Sequence, residues 1–338
     1  MTQPPPPGYG APPPGSGPPA WQHLPPEQLA RMHQPGVVPL RPLTVGDIFD
    51  GALQTMRRNP QATIGAALVV LALLLVPSLL ASLAVTRWAG LATEDLQVVT
   101  LGINGIFNAL ASVALTGMIV YVVSEAVLGD KADLAQTWAA VRGRLPALVA
   151  NLLLIVLLLL LGATVFVLAL VALGMGAPAI ADGWFVLIVV LATLGLVVGF
   201  VWAACRVSLA PCAVVLERAG AWRAVRRAWS LTSGAQAWRI VGITLLAGVL
   251  TGIFSAAVQV PVSFVTTGIL GSVSEGLSPV SPAVLVVDHL VQLVVSTLVI
   301  PFTAGVTALL YLDQRIRREG LDLALGRAAQ SRAAGRAR

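Results

Sequence analysis

Residues 147–173 read ALVANLLLIVLLLLLGATVFVLALVAL, and no charged side chain interrupts them. Wound as an α-helix at 1.5 Å per residue, the segment reaches about 40 Å, more than the ~30 Å hydrocarbon layer of a bilayer. A helix packed on a soluble core keeps a polar face and needs less length, so this segment is read as a membrane span. Five further stretches have the same character, at about 62–86, 98–124, 184–205, 240–265 and 285–311. Composition agrees: 57% of the 338 residues are hydrophobic and 11% are charged, against about a quarter charged in soluble domains.

Placing six spans sorts the charges. Of the 21 basic residues, which are 20 arginines and Lys131, only Arg87 then falls in an outside loop, beside Glu94 and Asp95. The other outside segments carry Asp182 and Glu275. An odd number of spans would scatter Arg57, Arg58, Arg142, Arg144, the Arg223–Arg227 cluster and the Arg315–Arg318 cluster over both faces, against the positive-inside rule. The expectation is a bacterial cytoplasmic membrane protein with both termini in the cytoplasm. Trp88 and Trp184 mark its outer boundary, and Trp202, Trp222, Trp229 and Trp238 its inner one. The net charge of +6 is thus explained by topology, and nucleic-acid binding is not expected.

Residues 1–38 hold 12 of the 23 prolines, too many for a packed core, and form an expected disordered cytoplasmic tail. The tail lacks the charged and apolar regions of a signal peptide. Docking of protein partners on its polyproline runs is one reading of it, and a solvated tail is the other. The integral membrane domain is read over 39–325, and 326–338 as a basic cytoplasmic C-terminal tail.

Thr44 followed by Asp47 resembles a capping box and predicts a helix start. Val45, Ile48, Phe49, Ala52, Leu53 and Met56 then share one face, as in an interfacial helix lying against the membrane. A similar helix precedes the third span, with Leu134, Trp138, Val141 and Leu145 on one face, and another precedes the fifth, with Trp222, Val225 and Trp229. The unit recurs at roughly 90 residues. The fold class expected is therefore all-α, a polytopic transmembrane helical bundle of about six spans. It is built as three units, each an amphipathic helix plus a hairpin.

Three spans carry polar residues four apart, which draws a stripe along each helix. They are Asn104, Asn108, Ser112 and Thr116; Thr251, Ser255 and Gln259; and Asp288, Gln292 and Ser296. Such stripes either hydrogen-bond between helices or line a polar path, with Asp288 as its ionisable member. Gly195, Gly199 and Ala203, and Gly248, Gly252 and Ala256, have the spacing that lets helix backbones approach. Pro77, Pro261 and Pro301 should kink their spans. Arg218, Arg223, Arg226, Arg227 and Arg239, interleaved with tryptophans, form a candidate cluster for anionic lipid head groups and the bilayer surface.

Catalytic signals are absent from this reading. His23 and His33 lie in or beside the tail, His289 stands alone, and no HExxH, GxSxG, P-loop or paired-carboxylate arrangement occurs. Cys205 and Cys212 lack metal or disulfide spacing and are read as packing residues. No cofactor, metal or enzymatic activity is expected.

Three segments carry a resemblance. They are Pro39 to Asp50 (PLRPLTVGDIFD), Leu216-Glu217-Arg218 with Ala224 to Leu231 (AVRRAWSL), and Tyr311 to Leu323 (YLDQRIRREGLDL). In the last, Tyr311, Asp313, Arg315, Arg317, Arg318, Glu319, Gly320 and Asp322 stand out. Together they are similar to an uncharacterised family of multi-pass proteins from high-GC Gram-positive bacteria, related to the membrane domain fused to some glycerophosphoryl diester phosphodiesterases. The resemblance implies a polytopic helical fold and no assigned activity, since catalysis in the fused enzymes belongs to a separate barrel. By spacing, Asp313 and Arg317 can pair on a helix that Gly320 ends. The function expected is that of a non-enzymatic scaffold or accessory component of membrane or envelope processes, the alternative being a transporter or lipid-handling protein.

Overall fold

A computed structural model describes residues 36–39, 41–176, 183–234, 236–269 and 278–320. The Pro-rich tail before residue 36, most of the outside loops read around Asp182 and Glu275, and the C-terminal segment with Asp322 lie outside the described residues. Among the described residues the secondary structure is helical throughout.

The first helix, α1 (Val45–Arg58), starts as its sequence dictates. Thr44 Oγ1 accepts the Asp47 N–H at 3.2 Å, and Asp47 Oδ2 accepts the Thr44 N–H at 2.9 Å, so two orphan donors of the first turn are satisfied reciprocally. A π-helical turn at Gln61–Gly65 leads into α2 (Ala66–Trp88), and α3 (Thr93–Val127) returns. The pattern repeats with α4 (Leu134–Arg142), α5 (Leu145–Gly176) and α6 (Gly183–Val207). After a short α7 (Ala210–Leu216), it repeats again with α8 (Ala221–Leu231), α9 (Gln236–Ser263) and α10 (Pro282–Glu319). Three units of surface helix plus hairpin are therefore present. Among the described residues six helices are long and apolar enough to cross a membrane.

Packing is uneven along the bundle. The main core joins Ile48 and Ala52 of α1, Ile119 and Val123 of α3, Val214 of α7, Ala228 of α8, Ile240 of α9 and Leu309 to Leu312 of α10. This cluster gathers the short helices α1, α7 and α8 at one end of the bundle. A second core, with Leu71, Leu75, Ala111, Leu115 and Ile300, ties α2 and α3 to α10. In contrast, the most apolar stretches of α5 and α6 contain no buried residue. Leu153, Leu157, Leu161 and Val165 of α5, and Leu191 and Leu194 of α6, point outward. Water would not tolerate such a surface, but lipid tails would cover it without cost.

Three sequence expectations change. Helix α1 does not rest on the membrane by its whole apolar face: Ile48 and Ala52 are buried against protein, with Phe49 against Phe302 of α10 at 5.9 Å between ring centroids. Val45 and Leu53 alone of that face stay exposed. In α4, Val141 turns inward while Leu134 and Trp138 turn outward.

The small-residue spacing also works differently. A Cβ added at Gly195, Gly199, Gly248 or Gly252 would meet nothing within 4 Å. Those glycines face open space. Close approach occurs instead at Gly51, whose added Cβ would fall 2.5 Å from Val38 and 2.8 Å from Leu309 side-chain atoms, and at Gly117, at 2.7 Å from Leu148 Cδ1. A flat helix face permits contact, but a partner helix must also be there to use it.

The prolines leave their helices continuous. Pro77, Pro261 and Pro301 each sit inside one. A π-helical stretch at Phe264–Ile269 continues α9 three residues after Pro261.

Candidate functional site

The three segments quoted from the sequence meet at the packed end of the bundle and form two linked polar nodes. The first centres on Asp313, which is fully buried. Its Oδ1 accepts the Leu43 N–H at 2.8 Å. Arg317, one turn further along α10, donates Nε to both carboxylate oxygens at 2.9 and 3.0 Å. Arg239 of α9 donates Nη1 to Oδ2. Both guanidinium groups also donate to the Leu43 carbonyl, Arg239 at 2.7 Å and Arg317 at 3.0 Å. One buried carboxylate is thus matched by two cations and a backbone donor, which offsets its desolvation.

The second node centres on Glu217, just after α7. Arg227 of α8 grips its carboxylate with Nε at 3.0 and 3.1 Å and Nη2 at 3.0 Å. The Tyr311 hydroxyl of α10 donates to the same carboxylate, and Arg315 stands at 3.5 Å. Glu319 closes the ring by pairing with Arg315 at 2.9 Å and with Arg227. Burial pushes the Glu217 carboxyl up, but the bonds from Arg227 and Tyr311 and the charges of Arg227 and Arg315 outweigh it and hold the group below its ordinary value. Burial likewise lowers the Arg227 guanidinium, and the two carboxylates more than reverse that, so it stays charged. Arg318 donates to the Ser230 carbonyl and the Ser233 hydroxyl, both at 3.0 Å. Gly320 then ends α10 in the left-handed conformation, at φ 61°.

The candidate lipid-facing cluster therefore divides. Arg227 and Arg239 are engaged inside the nodes. Arg218, Arg223 and Arg226 remain exposed and form no ion pair among the described residues. Arg144 lies close enough to Arg218 that burial first, and this like charge second, lower its guanidinium.

The polar stripes stay separate. Thr251 donates to its own helix, at the Ala247 carbonyl, 2.8 Å away. Gln292 donates to Ser296 at 2.8 Å on the same helix. Among the described residues no side-chain hydrogen bond joins one stripe to another, and none is made by Asn104, Asn108, Ser112, Thr116, Ser255, Gln259 or Asp288. Asn108 Nδ2 is buried without a partner, whereas Asp288 is exposed.

Two arrangements have no counterpart in the sequence reading. His289 is buried between α10 and α2, its Nε2 at 3.2 Å from Ser78 Oγ and its Nδ1 at 2.8 Å from the Leu285 carbonyl. The Leu285 carbonyl can only accept, so Nδ1 carries the proton that faces it. Arg206 of α6 is 6% exposed and sits in the corner of two perpendicular indoles, its guanidinium carbon 3.7 Å from the Trp229 ring centroid and 4.6 Å from that of Trp202. The four-residue spacing of Trp202 and Arg206 was visible in the sequence, but the arrival of Trp229 from α8 was not. Cys205 and Cys212 are buried free thiols, and among the described residues no group of three metal-ligating side chains comes together.

Residues 43–314 match the family described as Domain of unknown function (DUF7847). The chain is a DUF7847 protein. The DUF7847 match begins at Leu43 and ends one residue after Asp313, so Leu43, Arg239 and Asp313 of the first node lie within it and Arg317 lies three residues beyond. Neither the curated proteins nor the solved structures contain a match to this chain.

Proposed function

We propose that this DUF7847 protein is a non-enzymatic component of the bacterial cytoplasmic membrane, with both termini in the cytoplasm, that serves as a scaffold or accessory subunit in membrane or envelope processes. The observation that supports this reading is the use of the motif charges. Asp313, Arg317, Arg239, Glu217, Arg227, Arg315 and Glu319 satisfy one another, which builds a rigid base and leaves no carboxylate of the two nodes poised for chemistry. Around that base Arg218, Arg223 and Arg226 are free to meet anionic head groups, with Trp222 exposed beside them. The polyproline runs of residues 1–38 are the segment proposed to dock protein partners. Kinship to the membrane domain of glycerophosphoryl diester phosphodiesterases would extend to the helical fold and not to hydrolysis. Ser78, the hydroxyl nearest the buried His289, is itself fully buried, which favours an interhelical bond over a nucleophile.

Recovery of partners from mild detergent tests the scaffold. Co-purifying proteins should be lost when residues 1–38 are deleted or when Arg218, Arg223 and Arg226 are changed to Glu. A transport or lipid-handling role is the second reading, and the partnerless Nδ2 of Asn108 favours it. If N104A, N108A and D288A abolish a transport or lipid-export phenotype while the protein still accumulates, the second reading replaces the first.

A further inference from the structure

Beyond the surface cluster, a groove of about 700 Å³ runs between α6 and α9, within the size range of small-molecule sites. Its walls are apolar, Leu245 and Trp238 among them, and Gly195 and Gly199 form part of its lining. These glycines hold it open, since nothing lies within 4 Å of where their Cβ atoms would be. Arg206, Thr232 and Trp202 close one end. From Gly195 to Arg206 the helix rises about 16 Å, which is the depth of one leaflet of a ~30 Å hydrocarbon core.

Arg206 is the unusual member. It is nine-tenths buried and forms no ion pair among the described residues. Its Nε donates to the Thr232 hydroxyl at 2.9 Å and its Nη2 to the Trp229 carbonyl at 2.9 Å. Those contacts, with the two indole faces, fix the plane of the guanidinium without neutralising it. Nη1 has no hydrogen-bond partner among the described residues. A buried cation that lacks a carboxylate calls for an anion from outside, and the groove beside it calls for a hydrocarbon chain.

We infer that the α6–α9 groove binds one anionic phospholipid from the leaflet on the α8 side, with an acyl chain along Gly195 and Gly199 and the phosphodiester at Arg206. The net negative charge of such a lipid complements a lone guanidinium, whereas a zwitterionic lipid brings its own ammonium to the same place. The chain anchors the head group. A free phosphate has no such anchor and must compete with water for one cation.

Native mass spectrometry of the full chain in mild detergent tests the site, with phosphatidylglycerol and phosphatidylethanolamine of identical chains as probes. The wild type should retain one phosphatidylglycerol about tenfold more strongly than phosphatidylethanolamine, the scale of one charge-assisted contact. R206Q should bring the two lipids level. G199L, which has room for its side chain but fills the groove, should lose both lipids while leaving Arg206 intact, so the test survives if R206Q fails to fold. Changing Arg57 and Arg58, exposed at the end of α1 and outside the groove, to Gln should leave the preference in place. Equal binding of the two lipids by the wild type, retention in G199L, or displacement by millimolar inorganic phosphate would each overturn the inference, the last by marking a plain anion site.

Discussion

The carboxylate of Asp313 accepts the backbone N–H of Leu43 at 2.8 Å across 270 residues of sequence. This bond joins the segment that enters the first helix to the last turns of α10. Arg239 and Arg317 bind both partners, the carboxylate on one side and the Leu43 carbonyl on the other. The first and last units of the bundle are thereby held at one point.

Removing that carboxylate leaves two guanidinium groups without their shared partner. Asp313→Ala should cost about 3–5 kcal/mol, the range for breaking a buried pair from one side, and should appear as a lower thermal midpoint in detergent. Asp313→Asn keeps an acceptor for the Leu43 N–H and should fall between the two. An unchanged midpoint in Asp313→Ala would mean that the node contributes nothing to stability.

Glu217 gives the fold a pH dependence with a definite sign. Its carboxyl is held below the ordinary 4.5, so the stability it contributes is complete above the unfolded value and is lost as pH falls through the folded one. The thermal midpoint should decline below about pH 4.5. Glu217→Gln should show a smaller decline over the same window, and identical profiles for the two proteins would remove Glu217 from the account.

Glycines at contacts and glycines in open space should respond oppositely. Gly117→Val places new atoms against Leu148 and Val141 and should destabilise by about 1–3 kcal/mol, as overpacking does. Gly252→Ala meets nothing within 4 Å and should be neutral or stabilising by up to about 1 kcal/mol. Melting curves of the two variants side by side check the pair. Equal losses would overturn the distinction between a packed Gly117 and an open Gly252.

Membrane orientation is open to direct measurement. Reporter fusions after residues 90, 180 and 275 should be active only outside the cytoplasm, and fusions after residues 130 and 219 only inside it. A cytosolic signal from any of the first three would require a different span count.

Much of the architecture was legible because lipid imposes a length on every apolar run. The capping pair Thr44 and Asp47, the pairing of Asp313 with Arg317 and the stop at Gly320 were legible too, since each is settled within one or two helical turns. The exposed faces of α4 and the open surroundings of Gly199 and Gly252 were not legible. Spacing shows which residues share a face, and it does not show which neighbour occupies that face.

The sequence by itself determined six apolar segments, three surface helices ahead of three hairpins, and a concentration of arginine between them, because hydrocarbon excludes charge and demands about twenty apolar residues per crossing. Only the tertiary structure decided which arginines face outward and which are enclosed. Arg239 meets Asp313 74 residues away, Arg227 meets Glu319 92 residues away, and Arg206 meets Trp229 from another helix. Those choices depend on how the hairpins dock, and docking is set by the shape of whole helix faces.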